Sequence, residues 1–137
     1  MPDWEPLNAA VIEEFRQNGG RVAQFGDLPV VLLHTIRART KAVREIPLIV
    51  VPDDERMFLF ATAAGAPEDP GWVADLREQP RIDVELGAER FEAEISELDG
   101  SAAEIRVGIQ AERSKQFAAY LESAAPRRIP VFEISRR

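Results

Sequence analysis

The chain has no cysteine, one histidine and one tyrosine among its 137 residues. Without cysteine there is no disulfide, no thiol nucleophile and no thiolate ligand for a metal. The one histidine, His34, ends an apolar segment and has no acidic cluster beside it in the sequence, so neither a catalytic triad nor a metal site is predicted there. A structural role, or one at a strand edge, is the simpler interpretation. The motifs GxGxxG, GxSxG and HExxH and the P-loop are also missing.

Long apolar runs are missing as well. The longest, such as "PVVLL" and "IPLIVVP", have the length of a single strand, so no membrane span is predicted. The N-terminal sequence "MPDWEPLNAAVIEEF" is acidic and lacks the apolar core of a secretory signal. The net charge of -7 argues against non-specific binding to nucleic acid. We therefore expect a cytoplasmic protein with a single domain spanning residues 1–137.

The apolar segments that are present predict a β-rich domain. Strands are expected at 29–36, 46–52, 56–63 and 128–134, with 46–63 forming a hairpin, and "RIDVELGAERFEAEISEL" alternates as a second hairpin around Gly87-Ala88. Helices are expected within "LNAAVIEEFRQNGG", with Asn8 as N-cap and a stop at Gly19-Gly20, and at 72–80 and about 101–123. About six mostly antiparallel strands with about three helices favour a small closed barrel, because closure removes exposed strand edges.

Four cations and no acid lie between Arg37 and Arg44, namely Arg37, Arg39, Lys41 and Arg44. This basic loop (residues 37–44) is either a solvated turn that balances nearby acids or a cradle for a phosphate. Trp72 either packs in the core or lines a pocket for a flat ligand. Gly65 either turns the chain or lets its backbone approach a ligand. The alternating acids are interpreted as the solvent face of the hairpin: Glu85, Glu89, Glu92, Glu94 and Glu97.

Several segments, taken in order, resemble the deazaflavin-dependent nitroreductases, small split-barrel proteins that use coenzyme F420. "VIEEFRQNGGRV" is similar to that family's first helix and glycine stop, and "RRIPVFEI" to its closing strand. Between them, "VVLLHTIRARTKAVREIPLIVVPDDERMFLFATAAGAPEDPGWVADLREQP" resembles the core. It has a strand, a basic loop, an arginine three residues before Pro-Leu, a hairpin, a glycine loop, a tryptophan and a Leu-x-x-x-Pro ending.

The resemblance implies a set of cofactor-binding residues. Arg39 and Thr40 stand at the family's loop lysine and serine, and Asp75 replaces a usual asparagine. The implied set is His34, Thr35, Arg37, Ala38, Arg39, Thr40, Lys41, Arg44, Pro47, Leu48, Ala61, Thr62, Ala63, Gly65, Trp72 and Asp75. In this set residues 38–43 cradle the phosphate, residues 48–51 and 59–63 flank the deazaflavin ring, and His34 and Thr35 lie near the edge of the ring.

The implied activity is hydride transfer from reduced F420 to a quinone, a nitroaromatic compound or an activated alkene, a small hydrophobic electron acceptor in each case. Tyr120, within "SKQFAAYLES", is the candidate proton donor. The chain departs from the family by placing Arg37 and Lys41 where glycine is usual.

Two alternatives stay open: a split barrel that binds FMN or another flat cofactor such as haem, and a non-enzymatic cofactor-binding protein. A homodimer is also expected.

Overall fold

The structure is a computed structural model that describes residues 5–137, with side chains from residue 8 onward. Within that range there are seven strands, four α-helices and two short 3₁₀ turns. The strands are β1 (Val30–Ile36), β2 (Val43–Ile49), β3 (Val51–Asp53), β4 (Arg56–Phe60), β5 (Arg81–Leu86), β6 (Glu89–Glu97) and β7 (Val131–Arg136). The helices are α1 (Glu5–Gln17), α2 (Gly71–Glu78), α3 (Gly100–Arg113) and α4 (Lys115–Ala124), and the 3₁₀ turns are Ala23–Phe25 and Ala63–Gly65.

The strands form one sheet in the order β2-β1-β5-β6-β7-β4-β3, and each neighbouring pair is antiparallel. The two edge strands, β2 and β3, follow each other in the chain and are separated only by Val50. The chain therefore connects the two edges of the sheet, as a half-closed barrel requires. The predicted split barrel of mostly antiparallel strands is confirmed.

Side chains on both faces of β1 are buried, and this divides the core in two. Val31 and Leu33 point into the barrel and join a large cluster that includes Trp72 and Phe132. The alternate residues Val30 and Leu32 point outward and are covered by Phe15 of α1 and by Val22. Because successive side chains of a strand point to opposite faces, a continuous apolar run is what this two-sided burial requires.

The predicted hairpin over 46–63 is wrong. Strand β2 pairs with β1 throughout its length, and only Val51–Asp53 pairs with β4. The change of partner occurs at Val50, which is buried and whose N–H donates to the carbonyl of Pro29 at 3.0 Å. No glycine marks this change, and an apolar run does not say which strand it pairs with, so the sequence suggested one strand instead of two.

Two helix boundaries also differ from the prediction. The region expected to be one helix over about 101–123 breaks at Ser114, whose side chain accepts a hydrogen bond from the N–H of Phe117 and so begins α4. Asn8, expected as an N-cap, lies inside α1 because that helix already includes Glu5. The stop at Gly19-Gly20 is confirmed, since α1 ends at Gln17 and both glycines have positive φ. Among the described residues, no helix combines the length and hydropathy needed to cross a lipid bilayer.

Candidate functional site

A cleft of about 520 Å³ opens between strand β2, the end of β4 and the start of α2. Its walls are mostly apolar and include three aromatic side chains, and its polar groups are few. The lining residues are Asn8, Phe25, Arg44, Ile46, Pro47, Leu48, Ile49, Leu59, Phe60, Thr62, Ala63, Ala64, Ala66, Pro70, Gly71 and Trp72. A cleft of this size and composition is typical of a site for a flat organic molecule.

The register of β2 places a cation at one end of the cleft wall. Arg44 lies opposite Thr35 and Leu48 lies opposite Val31 in the β1–β2 pair. These residues share the inner face of the sheet, and the fully buried Thr35 donates its hydroxyl to the carbonyl of Arg44 at 3.0 Å. Arg44 also lies beside the first turn of α2, because its Nη1 would be 3.9 Å from a Cβ on Gly71. The cleft is therefore mostly apolar along its length and has the Arg44 guanidinium at this end.

Trp72 forms a rigid part of the wall. It is in the first turn of α2, is 5% exposed, and its ring lies 5.7 Å from that of Phe132 between centroids. The two interpretations of Trp72 from the sequence, core packing and pocket lining, are therefore both observed. A ring held by the core on one side offers a fixed surface on the other.

The basic loop is the turn between β1 and β2 and runs along α2. The Arg37 N–H donates to Ala42 O at 2.8 Å, and the Lys41 N–H donates to Arg37 O at 2.9 Å. Two side chains of α2 hold it: Asp75 Oδ1 accepts from the Ala38 N–H at 3.1 Å, and Glu78 Oε1 lies 3.5 Å from Lys41 Nζ. Lys41 has φ +63, so the loop has a left-handed residue at the position where the resemblance implies a glycine.

The far rim of the cleft is the segment Ala61–Ala66, and it contains two consecutive left-handed alanines. Ala63 has φ +47 and Ala64 has φ +54. This region of φ/ψ space is unfavourable for residues with a Cβ, and glycine, asparagine and aspartate are the usual occupants. The rim is held by Arg127, whose guanidinium donates to the carbonyls of Ala61, Thr62 and Ala66.

Helix α4 packs against the outside of the same rim. Gly65 has φ +84, and a Cβ there would lie 2.8 Å from Cβ of Ser123. The Ser123 hydroxyl donates to Gly65 O at 2.9 Å. Gly65 is therefore required by both its backbone conformation and its close contact with α4. Tyr120 is on α4, and its backbone carbonyl lies at the same contact, but the residue is not part of the cleft wall.

His34 belongs to a different site on the outer face of β1. Its Nε2 lies 2.6 Å from Oε2 of Glu85, and Glu45 is the third potential metal ligand, with all ligating atoms within 4.8 Å. Arg16 of α1 donates to both carboxylates, at 2.8 Å for Glu85. The pKa of Glu85 is lowered, first by the hydrogen bond from Arg16 and then by that from His34, against the effect of burial. Because the Arg16 guanidinium of α1 bonds to carboxylates on both β2 and β5, this cluster ties α1 to the sheet.

The other hairpin acids are also paired with arginines and are not merely solvated. Glu97 pairs with Arg77 at 2.8 Å and Glu89 with Arg136 at 2.7 Å. The hydrogen bond from Arg77 lowers the pKa of Glu97. The hairpin acids are therefore arginine-paired, although Glu89 and Glu92 stay largely exposed. The single tyrosine and the single histidine of the chain both lie outside the cleft wall.

The structure brings together six of the residues implied by the resemblance: Arg44, Pro47, Leu48, Thr62, Ala63 and Trp72. Thr35 and Ala61 are buried behind the wall, and Gly65 faces α4. Arg37, Ala38, Arg39, Thr40, Lys41 and Asp75 form the adjoining basic loop and its contact with α2. His34 is on the opposite face of β1. The cofactor-binding set as a whole stays a prediction.

Sequence reasoning missed the contributions of Asn8, Phe25, Ile46, Ala64, Ala66, Pro70 and Gly71 to the cleft and did not identify Arg127. Asn8 and Phe25 come from α1 and the turn that follows it, and only the tertiary fold brings them to β2. Arg127 is 61 to 66 residues from the carbonyls of Ala66, Thr62 and Ala61. The one local signal was its place at the start of "RRIPVFEI", which suggested only the closing strand.

Comparison with known proteins points to one family. Residues 8–135 match the family described as F420H(2)-dependent quinone reductase. An F420H(2)-dependent quinone reductase of Mycobacterium tuberculosis is 27% identical over 128 residues, which is 90% of this chain and 85% of the relative. A putative enzyme of the same description from Mycobacterium bovis matches to the same extent.

Solved structures agree with the sequence comparison. An F420-H2 dependent reductase superposes with a TM-score of 0.65 at 27% identity, covering 78% of this chain and 94% of its own. A structure described as a domain-swapped dimer has a TM-score of 0.67 at 25% identity and covers 95% and 99%. The heme storage protein HutZ from Vibrio cholerae, at 15% identity and a TM-score of 0.55 over 95% and 90%, shares the fold.

Proposed function

Since the chain belongs to the F420H(2)-dependent quinone reductase family and is therefore an oxidoreductase that uses coenzyme F420, we propose that its cleft is where the reduced cofactor and a quinone meet. The observation that carries the proposal is the combination of a mostly apolar cleft with Arg44 of the basic loop at one end. A quinone is a flat apolar molecule, and F420 joins a flat ring to an anionic tail.

The residues present fit such a cofactor. The ring would lie between Leu48 of β2 and the rim at Thr62 and Ala63, with Trp72 beside it. The phosphate would lie toward Arg44 and the basic loop. Arginine suits this task because its guanidinium makes bidentate contacts with phosphate oxygens. Glycine is absent from the loop, but the left-handed conformation of Lys41 preserves its turn.

When bound, the reduced deazaflavin supplies a hydride, and the protein supplies position and electrostatics. The fixed Trp72 ring and the β2 side chains would orient the cofactor ring and the quinone against each other. Holding two reactants in this way lowers the activation barrier for hydride transfer. The apolar walls would exclude water from the reacting atoms. A quinone that accepts a hydride needs one further proton to become a hydroquinone. The resemblance suggested Tyr120 as its donor, but Tyr120 is not part of the cleft wall, so we expect that proton to come from another source.

Matched substitutions of exposed isoleucines test this use of the cleft. Ile49 of β2 lines the cleft and is 36% exposed, whereas Ile105 of α3 is 64% exposed and is not part of the wall. We expect Ile49→Trp to narrow the cleft and reduce quinone-dependent oxidation of reduced F420 by on the order of tenfold. Ile105→Trp should leave it near the wild-type rate. Equal rates in the two variants would place the reaction elsewhere.

Three narrower proposals concern the electron acceptor, the oligomeric state and the subcellular location of the protein. The aromatic wall would admit a nitroaromatic compound or an activated alkene as well as a quinone, and competing acceptors in one assay would rank them. The homodimer stays a prediction, supported by one structural neighbour described as a domain-swapped dimer. A cytoplasmic location likewise stays a prediction from the sequence.

A further inference from the structure

The Arg127 side chain uses all of its donors on one short segment. A guanidinium has five N–H groups, and here five hydrogen bonds are formed. They run to Ala61 O at 3.0 Å, Thr62 O at 2.9 Å, Ala66 O at 2.9 and 3.1 Å, and Asp69 Oδ1 at 2.7 Å. The side chain is only 10% exposed. An arginine held in this way fixes the backbone that it binds, because its donors are planar and rigid.

The segment that Arg127 binds is the rim of the cleft, and its conformation needs support. Ala63 and Ala64 are both left-handed, lie between the bound carbonyls and line the cleft. Strained backbone of this kind persists only where surrounding contacts impose it, and it is concentrated at functional sites. Within residues 5–137, the N–H groups of Ala63 and Ala64 donate to no protein acceptor. Thr62 has right-handed helical φ and ψ angles and precedes the left-handed Ala63. Successive backbone N–H groups in this arrangement form a concave site that binds an electronegative atom.

We propose that Arg127 is a positioning residue for the cleft: it holds Thr62–Ala66 so that the N–H groups of Ala63 and Ala64 can bind an electronegative atom of the cofactor. The inference rests on the proposed function for the identity of that ligand. Arg127 itself is not part of the cleft wall. Arg127 binds the backbone carbonyls of the rim and so fixes its conformation. Ala63 and Ala64 line the cleft, and their N–H groups would contact the ligand.

Arg106 provides a matched control for loss of a partly buried arginine. Its side chain is 20% exposed, it pairs with Asp53, and its guanidinium carbon lies 4.3 Å from the centroid of the Phe58 ring. Neither Arg106 nor its two partners line the cleft. Arg106→Met and Arg127→Met should therefore both lower the thermal unfolding midpoint. Only Arg127→Met should change the conformation of the cleft rim.

The test measures F420 affinity by fluorescence titration for the wild type, Arg127→Lys, Arg127→Met and Arg106→Met. We expect Kd to rise roughly tenfold or more in Arg127→Met, less in Arg127→Lys, which retains some donors, and not in Arg106→Met. If Arg127→Met does not fold, Asp69→Asn, at a side chain 36% exposed, should raise Kd in the same direction by a smaller factor. An unchanged Kd in the folded Arg127 variants, or an equal rise in Arg106→Met, would overturn the proposal.

Hydrogen exchange without ligand separates this proposal from the proposed function. The Gly65 and Ala66 N–H groups donate to Thr62 O and Ala63 O at 2.9 and 3.1 Å, so they report on the rim directly. Their exchange should be faster in Arg127→Lys than in the wild type and unchanged in Arg106→Met. Unchanged exchange would show that Arg127 does not hold the rim. If the wild type bound no F420, the proposed function would fail, and this comparison would still decide the role of Arg127.

Discussion

The carboxylate of Asp75 accepts a hydrogen bond from the backbone N–H of Ala38 at 3.1 Å. This contact ties the basic loop to α2, the helix whose first turn forms part of the cleft wall. It also places a negative charge beside the loop that is predicted to hold a phosphate. An asparagine would accept the same hydrogen bond without the charge.

Asp75→Asn should therefore strengthen F420 binding. We expect Kd to fall by about two- to fivefold at low ionic strength, which is about 0.5–1 kcal/mol for one partly exposed charge. The gain should shrink as salt rises, because exposed charges are screened. Asp75→Ala serves as the control, since it removes both the charge and the acceptor for Ala38. A Kd that is unchanged or higher in Asp75→Asn at low salt would indicate that the phosphate does not lie at this loop.

Lys41 offers a direct measure of the loop's backbone strain. A residue with a Cβ at φ +63 is less stable there than glycine by about 1 kcal/mol. Lys41→Gly and Lys41→Ala both remove the contact of Lys41 with Glu78, so their difference isolates the backbone. We expect Lys41→Gly to be more stable than Lys41→Ala by about 1 kcal/mol in urea unfolding. Equal stability, or a more stable alanine variant, would contradict the left-handed conformation.

Tyr120→Phe tests the predicted proton donor. A positioned general acid contributes roughly 10²–10⁴-fold to a rate. Tyr120 is on α4 and is not part of the cleft wall, so we expect kcat for quinone reduction to stay within about twofold of the wild type, far below that range. Steady-state kinetics with reduced F420 would measure it. A loss of a hundredfold would assign the proton to Tyr120 and require α4 to move toward the cleft.

The cluster around Glu85 should make the protein sensitive to acid. Arg16 and then His34 hold the pKa of Glu85 below its ordinary value of 4.5, so the carboxylate is stabilised in the folded state. Its contribution is present at neutral pH and is lost as pH falls below about 4.5 toward the lowered folded-state pKa. Glu85→Gln should be less stable than the wild type by about 1–2 kcal/mol at pH 7, and the gap should narrow in acid.

The measurement is urea unfolding of both proteins across that pH range. Glu92→Gln is the control, because Glu92 is 63% exposed and lies 3.6 Å from its partner Arg137. Such a surface pair contributes little, so this variant should follow the wild type at every pH. A gap between Glu85→Gln and the wild type that does not vary with pH would show that the Glu85 charge has no role in stability.

The parts of the fold that the sequence predicted are those determined by local pattern. The β5–β6 hairpin alternates apolar and polar residues around Gly87, and the structure pairs Leu86 with Glu89 across that turn. Gly19-Gly20 ended α1 because left-handed conformations favour glycine. The change of partner at Val50 could not be predicted, because it depends on which strands β2 and β3 meet in the folded barrel.

The same distinction applies to the site. The basic loop was visible as a run of charge, and the resemblance suggested Arg44, Leu48 and Trp72, which the structure places in one cleft. The role of Arg127 could not be seen, since it depends on carbonyls 61 to 66 residues away. The left-handed conformations of Ala63 and Ala64 were also hidden, because alanine gives no signal for them.

The central claim is that the cleft binds F420 through an apolar wall and a cationic end. The most direct measurement is a fluorescence titration of the purified protein with F420, repeated with FMN, at low and at raised ionic strength. We expect saturable binding of F420, weaker binding at higher salt because the tail is anionic, and no comparable binding of FMN. Binding of FMN alone, or of neither compound, would contradict the account.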